Sequence, residues 1–294
     1  MIDSSLAFYR RYMNEQHPTV LVLGATGKTG SRVAAALVSR DIRVRTAARS
    51  GAEVRFDWSE RESYAPALKG IDRVYLIAPI GRLDFAADVS AFLDEAESAG
   101  VGHVTFLSAY GMEHAPGQVA ARAVELGLAG REQFGHTILR PAWFMQNFSE
   151  TFLKPVGGVI AVPTGDGAEA FIDAEDIAAV AAATLADPAA HAGAAYTLTG
   201  PEALSVAHAA AIISEAAGQT VTHLDLERDT WIAGAVAGGI PADYAVVLRQ
   251  LTETIASGNG SRPDTTVEQI TGTPARTFRD FARKNAAAWN EDSK

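Results

Sequence analysis

The segment Gly24-Ala25-Thr26-Gly27-Lys28-Thr29-Gly30 follows directly on the apolar run Val20-Leu21-Val22-Leu23 and opens a stretch of helical spacing from Ser31 to Ser39. A strand that turns through glycines into a helix limits the chain to few architectures. The first glycine permits the tight turn, the second lets a backbone approach a pyrophosphate, and the third lets the helix pack against the strand. The helix N-terminus presents N–H groups without intrahelical partners and the positive end of its dipole, which together hold phosphate without a basic side chain. The expected ligand is a dinucleotide at Gly24, Thr26, Gly27, Lys28, Thr29 and Gly30; an ordinary strand-to-helix turn is the competing reading. Lys28-Thr29 does not make a Walker loop, because that motif needs a longer loop before its Gly-Lys pair than Gly24 to Gly27 provides.

From Thr19 onward, short β-branched runs alternate with longer helical segments, the pattern of βαβ units. The expected fold is α/β: a doubly wound parallel sheet of Rossmann type with a smaller α+β C-terminal substrate lobe. Strands are expected at Thr19 to Leu23, Ile42 to Ala47, Val54 to Phe56, Arg73 to Ala78, His103 to Ser108 and Thr137 to Leu139. Beyond Pro141, helices are expected over Trp143 to Leu153, Ala174 to Leu185 and Ser205 to Ala217, strands at Val159 to Val162, Tyr196 to Thr199 and Val221 to Leu226, and two or three helices at the end. Asp173 reads as an N-cap, with Asp176 completing a capping box of structural purpose. The division expected is an extension over residues 1–18, a dinucleotide-binding domain over 19–155 and a substrate lobe over 156–294 that exchanges segments with it. A ligand cleft between lobes is the default for such a chain.

Charge and residue usage then remove several function classes. With 35 acidic against 25 basic side chains and a formal charge of −10, the chain lacks the positive field on which nucleic-acid binding relies. It has no cysteine, so thiolate zinc sites, iron–sulfur clusters and cysteine nucleophiles are excluded, and a reducing, cytoplasmic compartment is expected. Residues Met1 to His17 lack the apolar core of a signal peptide, and no run reaches the ~20 apolar residues of a membrane-spanning helix. Histidines 17, 103, 114, 136, 191, 208 and 223 show no metal-ligand spacing, so no metal site is expected. No Gly-x-Ser-x-Gly elbow is present, which argues against hydrolysis. Nothing indicates an oligomer, and nothing excludes one.

The residue type at the end of the second strand, about 20 residues beyond the glycines, separates two cofactors, since an NAD enzyme places Asp or Glu there on the ribose 2′-OH. This chain has Arg49-Ser50. A guanidinium and a hydroxyl hold a 2′-phosphate with charge-assisted hydrogen bonds, whereas a carboxylate repels it. NADP(H) is therefore the expected cofactor, with Arg43, Arg45 and Arg55 as alternative partners for the phosphate. Asp57-Trp58, after the third strand, is expected beside the adenine, Asp57 alternatively capping its loop. Ile77-Ala78-Pro79-Ile80, at the fourth strand's exit, would line the cofactor, an ordinary strand exit being the competing reading.

Four segments carry a family resemblance: Gly24 to Gly30; Phe106-Leu107-Ser108-Ala109-Tyr110; Leu139-Arg140-Pro141-Ala142-Trp143-Phe144-Met145-Gln146-Asn147-Phe148; and Pro274-Ala275-Arg276-Thr277-Phe278. Together they resemble the NmrA-like, atypical short-chain dehydrogenase/reductase family, from about Thr19 to about Ala288. The chain resembles its NADPH-dependent quinone oxidoreductases and ergot-alkaloid reductases, the latter acting on an iminium. The resemblance implies NADP(H) on the glycine turn, Arg49 near the 2′-phosphate, and nicotinamide between Ser108 to Tyr110 and Pro141 to Asn147. Phe144, Asn147 and Phe148 are candidates for the substrate wall, with Trp231 and Tyr244 added from the second lobe; as an aromatic stripe they can equally be core.

One departure from the wider superfamily bears on mechanism. Ordinary members use a tyrosine with a lysine four residues on as proton donor, but Tyr110 has His114 at that offset and the other tyrosines have no lysine there. Some relatives carry a lysine three residues before a Val-Glu pair; here that position, counted from Val124-Glu125, is Ala121, beside Arg122. Hydride transfer to a quinone, an activated alkene or a cyclic iminium asks less of the protein, since these acceptors are already electrophilic. Tyr110 or water would then supply the proton. The expected function is an NADPH-dependent reductase of such a small molecule. The alternative is an NADP(H)-binding sensor without turnover, and a nucleotide-sugar epimerase or dehydratase is the third reading.

Overall fold

The computed structural model describes residues 18–79 and 81–290; the expected N-terminal extension up to His17 and the placement of Ile80 lie outside them. The strands are β1 (Thr19–Leu23), β2 (Arg43–Ala48), β3 (Val54–Arg55), β4 (Arg73–Ile77), β5 (His103–Leu107), β6 (Gly135–Pro141), β7 (Val159–Ala161), β8 (Ala168–Glu169), β9 (Ala194–Leu198), β10 (Leu204–Ser205) and β11 (Thr222–Leu224). The principal sheet has the order β3-β2-β1-β4-β5-β6-β9, and every pairing from β3 through β6 is parallel. The order reverses between β2-β1 and β4-β5, which makes the β1/β4 junction the switch point of a Rossmann-type sheet. Val20 to Leu23 are all fully buried, as a central parallel strand covered on both faces requires.

The chain forms two compact units. Among the described residues, the first combines 18–79 with Asp84–Arg140 and Ile177–Tyr196; the second combines 81–83, Pro141–Asp176 and 197–290. The passage out of the first unit thus falls at the end of β6, ahead of the boundary at 155 read from the sequence. Ile177–Tyr196 belongs to the first unit through specific ties. Arg73 donates to the carbonyl of Ala186 at 3.0 Å, and the hydroxyls of Thr105 and Thr184 lie 3.1 Å apart.

The first unit's core contains Phe56, Tyr64, Leu68, Leu76 and Phe92 under the sheet. His103, at the start of β5, is buried, with Nε2 at 3.1 Å from the Thr137 hydroxyl. Burial, followed by the positive charge of Arg73, pushes its pKa down to about 4. The folded value lies below the ordinary one, so the neutral imidazole contributes stability above pH ~6.5 that is lost as pH falls through ~4, at most about 3 kcal/mol in all. Denaturant titrations of wild type and His103→Gln between pH 7 and 4 should therefore show a shallower acid decline in the variant; parallel slopes would contradict the assignment.

The second unit has its own core, in which Phe148 meets Phe171 and Phe278 edge-on at 5.0 Å each and Trp289 Nε1 donates to the carbonyl of Phe148 at 2.7 Å. The expected helix over Trp143 to Leu153 shortens to Asn147–Glu150. Its first residues are extended instead: the Ile172 N–H donates to the Trp143 carbonyl at 2.9 Å and the Met145 N–H to the Ile172 carbonyl at 2.8 Å, pairings a helix cannot offer. Among the described residues, four α-helices, Arg228–Ala237, Tyr244–Ala256, Thr266–Thr271 and Phe278–Lys284, follow β11 rather than two or three. Asp176 departs from the capping-box reading, because its carboxylate receives the Arg276 N–H at 2.8 Å and the Arg276 guanidinium. No helix among the described residues is long and apolar enough to cross a membrane.

Candidate active site

The first unit gathers its chemistry at the carboxyl ends of β1, β2, β4 and β5. Gly24 leaves β1 with φ +63°, where a side chain is strained, and a Cβ there would also meet Ile77 Cγ2 of β4 at 3.0 Å. Gly30 begins helix Gly30–Val38, and a Cβ on it would be driven into the carbonyl of Gly24 and lie 3.0 Å from Ala25 Cα. The helix thus starts against the backbone of its own turn, which only glycine allows. Gly27 is exposed, and a Cβ there would meet only the Gly24 oxygen at 3.2 Å. The result is an open cradle of backbone at a helix N-terminus, the shape and polarity that suit a diphosphate.

Thr26 and Gly27 face outward and Lys28 is half-buried. Thr29 is 2% exposed, and its hydroxyl faces the buried phenol of Tyr75, which burial pushes up. Its side chain packs beneath the turn, which leaves its backbone N–H as the group it can offer at the helix start. Arg49 and Ser50 are exposed just past β2. The alternative arginines are committed elsewhere or badly placed. Arg45 donates to the Ala67 and Lys69 carbonyls, Arg55 forms a two-pronged pair with Glu60, and Arg43 opens β2 at the opposite end of the sheet.

Asp57 and Trp58 serve the loop after β3. The Asp57 carboxylate accepts from the Ser59 N–H at 2.9 Å and the Ser59 hydroxyl at 2.7 Å; these bonds, backbone first, lower its pKa. Trp58 packs edge-on to Phe56 at 5.0 Å and to Phe92 at 5.5 Å. Both residues have structural work to do here, the loop-capping alternative in the case of Asp57. Ala78 and Pro79, half-buried, continue β4 beside the glycine turn.

Beyond β5 lie Ser108, half-buried, and Tyr110, 38% exposed. Gly111, at φ 74°, turns the chain into the short 3-10 turn Met112–His114. Beneath them is a cluster that the sequence reading passed over. Glu125, 1% exposed, accepts from Ser108 Oγ at 2.6 Å and Arg140 Nε at 2.9 Å on one oxygen, and from Arg122 at 2.7 Å and Arg140 at 2.9 Å on the other. Arg140 Nε also lies 3.5 Å from Glu113. Burial alone would raise the Glu125 pKa, but the bonds from Arg140, Ser108 and Arg122 together outweigh it and hold the carboxyl below the usual range. The one available signal was Arg122 three residues before Glu125 on a helix; the Arg140 and Ser108 bonds needed the fold.

The remaining expected residues lie in the second unit. Pro141 and Phe148 are buried, and Phe148, with no exposed surface, belongs to the Phe171–Phe278 core instead of a substrate wall. Trp231 is half-buried, donates through Nε1 to the Ala161 carbonyl at 2.9 Å and packs on that same core. Phe144 and Asn147 are half-buried, the latter accepting from the Thr151 hydroxyl at 3.2 Å. Tyr244 starts helix Tyr244–Ala256, with its phenol pushed up by burial.

The chain is similar to known proteins along most of its length. The uncharacterized oxidoreductase YesF of Bacillus subtilis is 40% identical over 286 residues, covering 94% of this chain and 98% of YesF. Festuclavine synthase II of Penicillium roqueforti is 32% identical over 294 residues, covering 92% of this chain and 99% of the synthase. The crystal structure of the Citrobacter sp. triphenylmethane reductase shares the fold at TM-score 0.78, with 20% identity and coverage of 92% of this chain and 99% of that one. The description NmrA-like family matches residues 16–281, and the chain belongs to that family.

Proposed function

We propose that the protein is an NADPH-dependent oxidoreductase that transfers hydride to a small electrophilic acceptor, a quinone, an activated alkene or a cyclic iminium, without a Tyr/Lys pair. The observation that carries this reading is the glycine cradle at the β1/β4 switch point, open where a diphosphate binds and closed where a helix must pack. The family and the names of the relatives, an oxidoreductase and a festuclavine synthase, support it. The fit of the cradle is backed by the exposed Arg49 guanidinium at the next strand end.

The roles follow from position. The N–H groups at the start of helix Gly30–Val38 bind the diphosphate, while Arg49 and Ser50 take the 2′-phosphate. Ala78, Pro79 and Ser108 line the path toward the exit of β5. When bound, the reduced nicotinamide supplies the hydride. Tyr110, exposed on the loop past Ser108, donates a proton to the acceptor oxygen as negative charge develops there; an iminium needs none.

The test is direct: mix the protein with NADPH and panels of quinones and cyclic imines, and follow loss of the reduced cofactor's absorbance. Turnover with at least one class is expected. Absence of turnover, with unequal affinities for NADP and NADPH, would replace the enzyme by a redox-sensing regulator. Absence of cofactor binding would overturn both.

A further inference from the structure

Glu125 is saturated. A carboxylate offers about four lone-pair sites, and here four donors fill them: Ser108 Oγ, Arg122 and two nitrogens of Arg140. No site remains for a proton, and two guanidiniums face the group, so it is a buried anion. Ser108 has one hydroxyl proton, and that proton is spent on Glu125. What the Ser108 oxygen still presents at the end of β5 is lone pairs.

The geometry points to Glu125 as a positioning residue that fixes the Ser108 hydroxyl as an obligate hydrogen-bond acceptor, and to the carboxamide N–H of the nicotinamide as the group that Ser108 receives. This rests on the proposed cofactor. Two observations select that group over others. An acceptor-only hydroxyl has no use for a quinone or enone, whose oxygens also only accept, or for an N-alkylated iminium, which has no N–H to give. The carboxamide amino group, by contrast, is a donor present in every turnover, and Ser108 sits at the strand end next to the switch-point strand β4. It follows that Ser108 cannot protonate a reduced product; Glu125, fully ionised, cannot relay a proton through it either. The arrangement instead sets which way the nicotinamide ring turns its face.

The probe is 3-acetylpyridine adenine dinucleotide phosphate, which keeps the carbonyl and replaces the amino group by methyl. Calorimetry compares its affinity with that of NADP⁺ on the full chain. Wild type should prefer NADP⁺ by roughly five- to tenfold, the worth of one hydrogen bond in such a site. Ser108→Ala should bring the ratio near one and Ser108→Thr should retain it. Glu125→Gln sets an amide N–H₂ against two of the four donors whichever oxygen it replaces, loosens the hold on the Ser108 proton and should weaken the preference. Should Glu125→Gln fail to fold by thermal melting, Ser108→Ala still decides, since it removes one hydroxyl only. An undiminished preference in Ser108→Ala, or none in wild type, overturns the inference while leaving the cofactor site standing. Failure of either ligand to bind wild type overturns the cofactor reading itself.

Discussion

Gly30→Ala should abolish most NADPH binding while leaving a folded protein. The added methyl has nowhere to go: its neighbours are the Gly24 carbonyl and the Ala25 backbone, and backbone cannot rotate aside as a side chain can. The helix must move away from the turn, taking the N–H groups of its first residues with it. Overpacking of this kind costs about 1–3 kcal/mol of stability, and a cradle displaced by a fraction of an ångström loses several charge-assisted bonds at once, each worth about 1.5–3 kcal/mol. Affinity should fall by more than about 100-fold, read by calorimetry beside a thermal melt. Unchanged affinity in a folded variant would mean that the turn does not hold the diphosphate. Gly27→Ala provides the graded comparison, since its Cβ would meet one oxygen at a tight but tolerable 3.2 Å.

The second large effect concerns the choice of cofactor. Arg49→Asp replaces an exposed guanidinium by the residue type that receives a ribose 2′-OH. Loss of one charge-assisted contact costs about 1.5–3 kcal/mol, so NADPH should weaken by roughly 10- to 100-fold and further through repulsion, with NADH nearly unchanged. Arg43→Ala, at the far end of the same strand, should alter neither. Equal losses of NADPH and NADH in Arg49→Asp would remove the 2′-phosphate assignment.

The parts of the fold legible in sequence are those fixed by local physics. Val20 to Leu23 form a central strand because nothing in them tolerates water, and Gly24 to Gly30 form a turn because their spacing admits little else. The segment after Pro141 misled for the same reason. Trp143 to Leu153 has helical spacing, but Ile172, distant in sequence, supplies a backbone partner that pulls Trp143 to Met145 into extended pairing. Phe148 and Phe144 are both aromatic in one short run, and only the second unit's core distinguishes them, burying Phe148 entirely against Phe171 and Phe278. Thr29 reads as a phosphate ligand by spacing but faces inward, because the first helical turn must rest on Tyr75. Glu125 was invisible as part of a site, since its partners Ser108 and Arg140 come from two different strand ends.

The central claim, that the turn after β1 holds the diphosphate of NADPH, is most directly tested by following backbone amide resonances of the isotopically labelled protein during titration with NADPH. The largest saturable shifts should fall on Thr26, Gly27, Lys28, Thr29 and Gly30, with smaller ones at Arg49 and Ser108. Saturable binding whose shifts leave those five amides unmoved would contradict the account.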